Sequence, residues 1–166
     1  MSQVQLIANE PPASARNGFT APLPRMDSLA ALGLRLSRQF AQCRREGGQL
    51  ALLWVEMDVL EQPDSALGEA ARDDLVQAAS QRLRNRVRGS DEVLRMGPQC
   101  FAVLLMAAGT GEADIAERRL LQTVRGNYGV DDRLMQVGVR IGVAVFPEDG
   151  RNGTELAEAA RANLRP

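Results

Sequence analysis

The chain has 166 residues, 45% of them hydrophobic, and a formal net charge of −1. That length suits one domain with an ordinary core, and the near-neutral charge gives no general attraction to DNA or an acidic membrane. All twenty cations are Arg, and without a single His there is no Ser-His-Asp or Cys-His catalysis and no His-ligated zinc.

Residues 1–25 include Pro11, Pro12, Pro22 and Pro24 and read as a flexible leader. Val4 to Ala8 is a short apolar run that could add a strand to the sheet, but the leader is not assigned one. The domain proper spans residues 26–166. Asp27 or Ser28 caps a helix to Glu46, with Leu29, Leu32, Leu36 and Phe40 on its apolar face and Gly47-Gly48 ending it. Leu50 to Asp58 is continuously apolar and predicts a buried strand. Glu56 and Asp58 stand two apart at its end and so share a face. They are either a solvated strand end or a carboxylate pair kept for chemistry. Pro63-Asp64-Ser65 opens a long helix to about Arg88, with Leu67, Ala71, Leu75, Ala79, Leu83 and Val87 as its stripe. Two short strands, Glu92–Met96 and Cys100–Met106, flank a Gly97-Pro98-Gln99 turn. A helix follows from Glu112 to Arg125, with Ile115, Leu120 or Leu121, and Val124 facing inward. Residues 126–129 read as a loop. Met135 to Phe146 alternates as a strand, Pro147 to Gly150 is a turn, and Thr154 to Leu164 is the last helix. The order predicts an α+β fold, a central and mostly antiparallel sheet with helices packed over it.

Cys43 and Cys100 make no CxxC pair and read as buried reduced thiols. No apolar run approaches a membrane span and the N-terminus lacks a signal-peptide core, so a cytoplasmic protein without membrane insertion is expected.

Five segments together resemble the GGDEF domain family, the diguanylate cyclases that join two GTP molecules into cyclic di-GMP. Residues 27–35 are similar to the family's D-x-L-T-G-L-x-N-R opening and residues 52–58 to its L-L-x-x-D-x-D strand. Residues 94–105 resemble its R-x-G-G-D-E-F-x-x-L-L hairpin, residues 115–118 its A-E-R helix, and residues 139–150 its S-I-G-V-A-x-F-P-x-D-G strand and turn. The resemblance implies a nucleotidyl-cyclase-like fold. The sequence given stops at Pro166, before the family's A-K-x-x-G-R-N segment, so the family's final strand is expected to be missing.

The departures fall on the chemistry. In the family, metal ions stabilise an in-line attack of a ribose hydroxyl on an α-phosphate and backbone amides cradle the phosphates. The resemblance places Glu56 at the first metal carboxylate, an acid one methylene longer. Gly97 keeps the first Gly of the signature, but Pro98 replaces the second and removes an amide donor. Gln99 and Cys100 replace both signature acids; Gln is a poor magnesium ligand and Cys is too soft. The guanine-recognising Asn corresponds to Asp64, the family's guanine-binding Asp is kept as Asp73, and a phosphate-side Lys becomes Glu61. No catalytic residue, metal or cofactor is expected.

Arg88-Gly89-Ser90-Asp91 points elsewhere. An Arg fork reads the O6 and N7 acceptors of guanine, and an Asp three residues on can accept from its N–H groups. In the family, R-x-x-D five residues before the signature is the inhibitory product site, and identity and spacing both match here. Arg118 matches the A-E-R position that supplies a second Arg, with Arg119 as its substitute. Two readings stay open for the pair: a cyclic di-GMP site, or an ion pair capping the chain beside Gly89. The first makes the chain a non-catalytic cyclic di-GMP receptor. The second makes it a ligand-independent interaction module. In either case a protein partner or a second copy of the chain is expected, and DNA is not.

Overall fold

The computed structural model describes residues 4–5, 23–60, 68–130 and 133–165. Among the described residues six strands form one sheet: β1 (Val4–Gln5), β2 (Leu50–Leu60), β3 (Glu92–Arg95), β4 (Cys100–Met106), β5 (Gly126–Val130) and β6 (Arg133–Phe146). Their order is β1-β5-β6-β2-β4-β3, and every ladder is antiparallel. The helices are α1 (Leu29–Arg35), α2 (Ser37–Glu46), α3 (Glu69–Arg84), α4 (Thr110–Val124) and α5 (Gly153–Ala162).

Strand periodicity divides the core in two. On β2, Ala51, Leu53, Val55 and Met57 pack beneath α3 and α4, whereas Leu50, Leu52 and Trp54 pack beneath α1, α2 and α5. Side chains alternate across a strand, so Glu56 and Asp58 continue the second row past Trp54, on one face as expected. Burying both faces of β2 explains its continuous apolarity. The close approach of α5 to β6 depends on Gly142, where an added Cβ would run into the Ala160 carbonyl oxygen.

Several expectations need correction. The helix over residues 28–46 is interrupted at Leu36; the Ser37 hydroxyl donates to the Leu34 carbonyl at 2.8 Å, a local bond that competes with the helical ladder. Residues 126–129 are not a loop but the strand β5, paired along β6 from Gly126↔Val137 to Val130↔Arg133. Tyr128 is fully buried there, its hydroxyl donating to the Val124 carbonyl at 2.6 Å, and this tertiary anchoring overrides the local Gly and Asn preference. Ile115 does not face the core and is 52% exposed. In the leader, Val4 and Gln5 pair with Val130 and Gly129, so this part is a strand.

The long helix ends at Arg84 rather than Arg88, in a turn where Arg86 and Val87 donate to the Leu83 and Arg84 carbonyls. It starts at Glu69, with Gly68 extended as its N-cap, and not at residues 63–65, which themselves lie outside the described residues. At the other end, Arg165 leaves α5 and exchanges backbone hydrogen bonds with Ile141, along β6 beyond its pairing with β5.

Candidate functional site

The loop between α3 and β3 carries the R-x-x-D pair. The Asp91 carboxylate accepts from the Arg88 N–H at 2.9 Å and the Met106 N–H at 3.0 Å. The Arg88 side chain adds contacts at 3.4 Å. The Asp91 side chain is 2% exposed and that of Arg88 63%. A carboxylate can be buried this deeply because it is paired and hydrogen-bonded. Arg88 also donates to the Met106 carbonyl at 2.6 Å. Asp91 and Met106 therefore hold the guanidinium through Nε and Nη2, on a side chain that is still 63% exposed. The acceptor role expected of Asp91 towards guanine is taken up here by donors of the protein itself.

Arg88 stands between two cavities. One, about 230 Å³, is lined by Arg86, Arg88 and Asp91 on the loop and by Ile115 and Arg119 on α4. The other, about 490 Å³, is bounded by Arg35, Arg84, Arg88 and Gly89. Ile115 and Arg119 lie four apart on one helical face, so Arg119 shares the cavity with Arg88. Arg118 lines neither cavity. Between the two candidates on α4, the geometry brings together Arg88 and Arg119. The exposed Ile115 belongs to this cavity rather than to the core. Ala107, also on the cavity wall, has φ 52° and turns the chain sharply after β4, a conformation that costs a non-Gly residue about 1–2 kcal/mol.

The β3–β4 hairpin is closed by its own side chains. Arg95 donates to the Gly97 and Pro98 carbonyls at 3.0 and 2.9 Å, and the Gln99 carbonyl accepts from the Met57 N–H at 2.8 Å. Cys100 stands opposite Glu56 in the β2–β4 register, and its thiol donates to Glu56 Oε1 at 3.7 Å. Burial first, then the charge and hydrogen bond of Glu56, push the Cys100 thiol up to about 11. On the other side of β2, Arg140 stands opposite Glu56. Its guanidinium meets Glu56 Oε2 at 3.0 Å and Asp58 Oδ2 at 3.4 Å.

Asp73 lines a separate cavity of about 360 Å³ with Arg25, Asp74, Gln77 and Arg95. Burial and the neighbouring Arg25 hold Arg95 below its ordinary value, with Asp73 pulling the other way. Asp64 and Glu61 lie outside the described residues.

Sequence reading did not pick out Met106, Arg95 or Arg140. Met106 acts through its backbone, which leaves no mark in the sequence. Arg140 did leave a mark, a lone cation inside the apolar alternation of β6, where the S-I-G-V-A motif carries Ser.

A family model described as the diguanylate cyclase, GGDEF domain matches residues 22–166. The chain belongs to the GGDEF family. Over 144 residues it is 30% identical to the cyclic di-GMP phosphodiesterase NbdA of Pseudomonas aeruginosa, covering 83% of this chain and 18% of that protein. Over 116 residues it is 32% identical to the diguanylate cyclase TpbB of the same species, covering 69% of this chain and 27% of TpbB. The crystal structure of the TpbB GGDEF domain superposes with a TM-score of 0.74 at 29% identity, covering 86% of this chain and 88% of that one. The chain thus spans about a quarter or less of these two curated relatives. Its GGDEF domain is of the kind found in cyclic di-GMP signalling proteins. Among the described residues no helix is long and apolar enough to cross a membrane.

Proposed function

We propose that this GGDEF domain is a non-catalytic receptor for cyclic di-GMP, with Arg88 as the guanine-reading residue and Arg119 as the second cation. The observation that carries the reading is the placement of Arg88. Its guanidinium is braced through Nε and Nη2 by Asp91 and the Met106 carbonyl, and its side chain is 63% exposed and shares a cavity with Arg119. A fork held in place loses less rotamer freedom on binding. The cavity of about 230 Å³ is smaller than a typical whole-ligand pocket of ~300–1,000 Å³, so it suits one base with the rest of the dinucleotide outside. In this reading Asp91 is a positioning residue.

The non-catalytic part rests on Pro98, Gln99 and Cys100. They leave the signature hairpin without its acids and without one amide donor. A second reading, a ligand-independent interaction module, draws support from the same loop, because the Arg88–Asp91–Met106 set satisfies its own hydrogen bonds. Calorimetric titration with cyclic di-GMP separates the two. The receptor reading expects binding by the wild type that Arg88→Ala weakens, and the interaction reading expects none. Incubation with GTP and magnesium tests catalysis, and any cyclic di-GMP formed by the pure protein overturns the non-catalytic part.

A further inference from the structure

The family resemblance implies a divalent cation at Glu56, and the residues around Glu56 do not fit one. Both of its carboxylate oxygens are already engaged, Oε2 by Arg140 at 3.0 Å and Oε1 by the Cys100 thiol at 3.7 Å. The neighbouring carboxylate, Asp58, is also reached by Arg140, through Nε at 3.4 Å. Magnesium needs several oxygen ligands in near-octahedral array. The third side chain at this spot is instead a soft and protonated thiol.

We propose that Arg140 is a built-in counter-ion, its guanidinium standing between Glu56 and Asp58 where the family resemblance implies a metal ion, so that this end of β2 is neutralised by the chain itself and does not take up a divalent cation. Three features support this. The register sets Arg140 directly opposite Glu56. The strand periodicity puts Glu56, Asp58 and Arg140 on one face of the sheet. One planar guanidinium reaches both carboxylates, a geometry suited to Arg and not to Lys. A fixed positive charge in contact with both acids also repels any incoming cation.

The proposal shares one premise with the proposed function, that the Glu56 site does no catalysis, and is independent of the receptor site at Arg88. It also gives the retained acids a use: both join β2 to β6 through Arg140, and Glu56 joins β2 to β4 through Cys100.

The test is paramagnetic broadening of backbone amide signals by millimolar Mn²⁺ in the isotope-labelled protein. In the wild type, the signals of Glu56 to Asp58 and Cys100 are expected to keep the same relative intensity as those of remote strands. In Arg140→Ser they are expected to be selectively lost, and Glu56→Gln added to that variant restores them. Arg140→Gln, closer in size, carries the same expectation should Arg140→Ser fail to fold. Selective broadening in the wild type overturns the proposal. So does a folded neutral variant that shows none. Cyclic di-GMP titration is read separately, so loss of the receptor reading leaves this result standing.

Discussion

The Met106 N–H donates to the Asp91 carboxylate at 3.0 Å, tying the start of β3 to the end of β4. Since the Asp91 side chain is 2% exposed, Asp91→Ala leaves the Arg88 and Met106 N–H groups without their acceptor. The expected loss of stability is about 1–3 kcal/mol, read from urea unfolding. Arg88→Ala keeps the two backbone donors to Asp91 but removes the donor to the Met106 carbonyl, so it is expected to cost about 1 kcal/mol, less than Asp91→Ala. The two halves of the motif therefore separate, one mainly structural and the other free to serve a ligand.

The two arginines on α4 separate in the same way. Arg119 lines the cavity and Arg118 does not. Arg119→Ala is expected to weaken cyclic di-GMP binding about tenfold, in line with ~1–3 kcal/mol for a good guanine contact, while Arg118→Ala stays within about twofold. Calorimetry on both variants decides between them, and a larger effect at Arg118 contradicts the site geometry.

How much of this was legible in the sequence depends on what carried each feature. The α+β order and the shared face of Glu56 and Asp58 follow from apolar periodicity, which sequence shows directly. β5 was missed because Gly126, Asn127 and Gly129 favour turns locally, and only the ladder to β6 and the burial of Tyr128 overrule them. The break at Leu36 was missed because Leu36 is itself buried and continues the apolar stripe without interruption. At the site, Arg88 was found through its spacing to Gly97. The depth of Asp91 was hidden, because it depends on a backbone group 15 residues away.

Cys100 gives a pH prediction. Its thiol is raised to about 11 from an ordinary 9.0. At mildly alkaline pH the thiolate fraction is then about a hundredfold lower than for a free thiol, and alkylation in the native state is expected to slow accordingly. For stability, the folded state holds this proton to higher pH than the unfolded state does. Its contribution is complete below pH 9 and is lost as pH rises towards 11. Denaturant midpoints of the wild type and Cys100→Ser across that range read the difference; parallel curves contradict it.

Gly142 tests the packing of α5. Besides the Ala160 carbonyl, an added methyl meets the Leu164 nitrogen at 2.8 Å. Gly142→Ala is expected to cost at least about 1–3 kcal/mol, seen as a lowered melting temperature. At Gly89, an added Cβ meets nothing within 4 Å. Gly89→Ala is therefore expected to be neutral or to stabilise by up to about 1 kcal/mol.

The most direct measurement is a calorimetric titration of cyclic di-GMP into the wild type and Arg88→Ala. The receptor account expects micromolar or tighter binding by the wild type, weakened roughly tenfold to a hundredfold by the substitution, as befits a bidentate guanine contact. A folded wild type that binds no cyclic di-GMP, or an Arg88→Ala variant that binds it equally well, contradicts it.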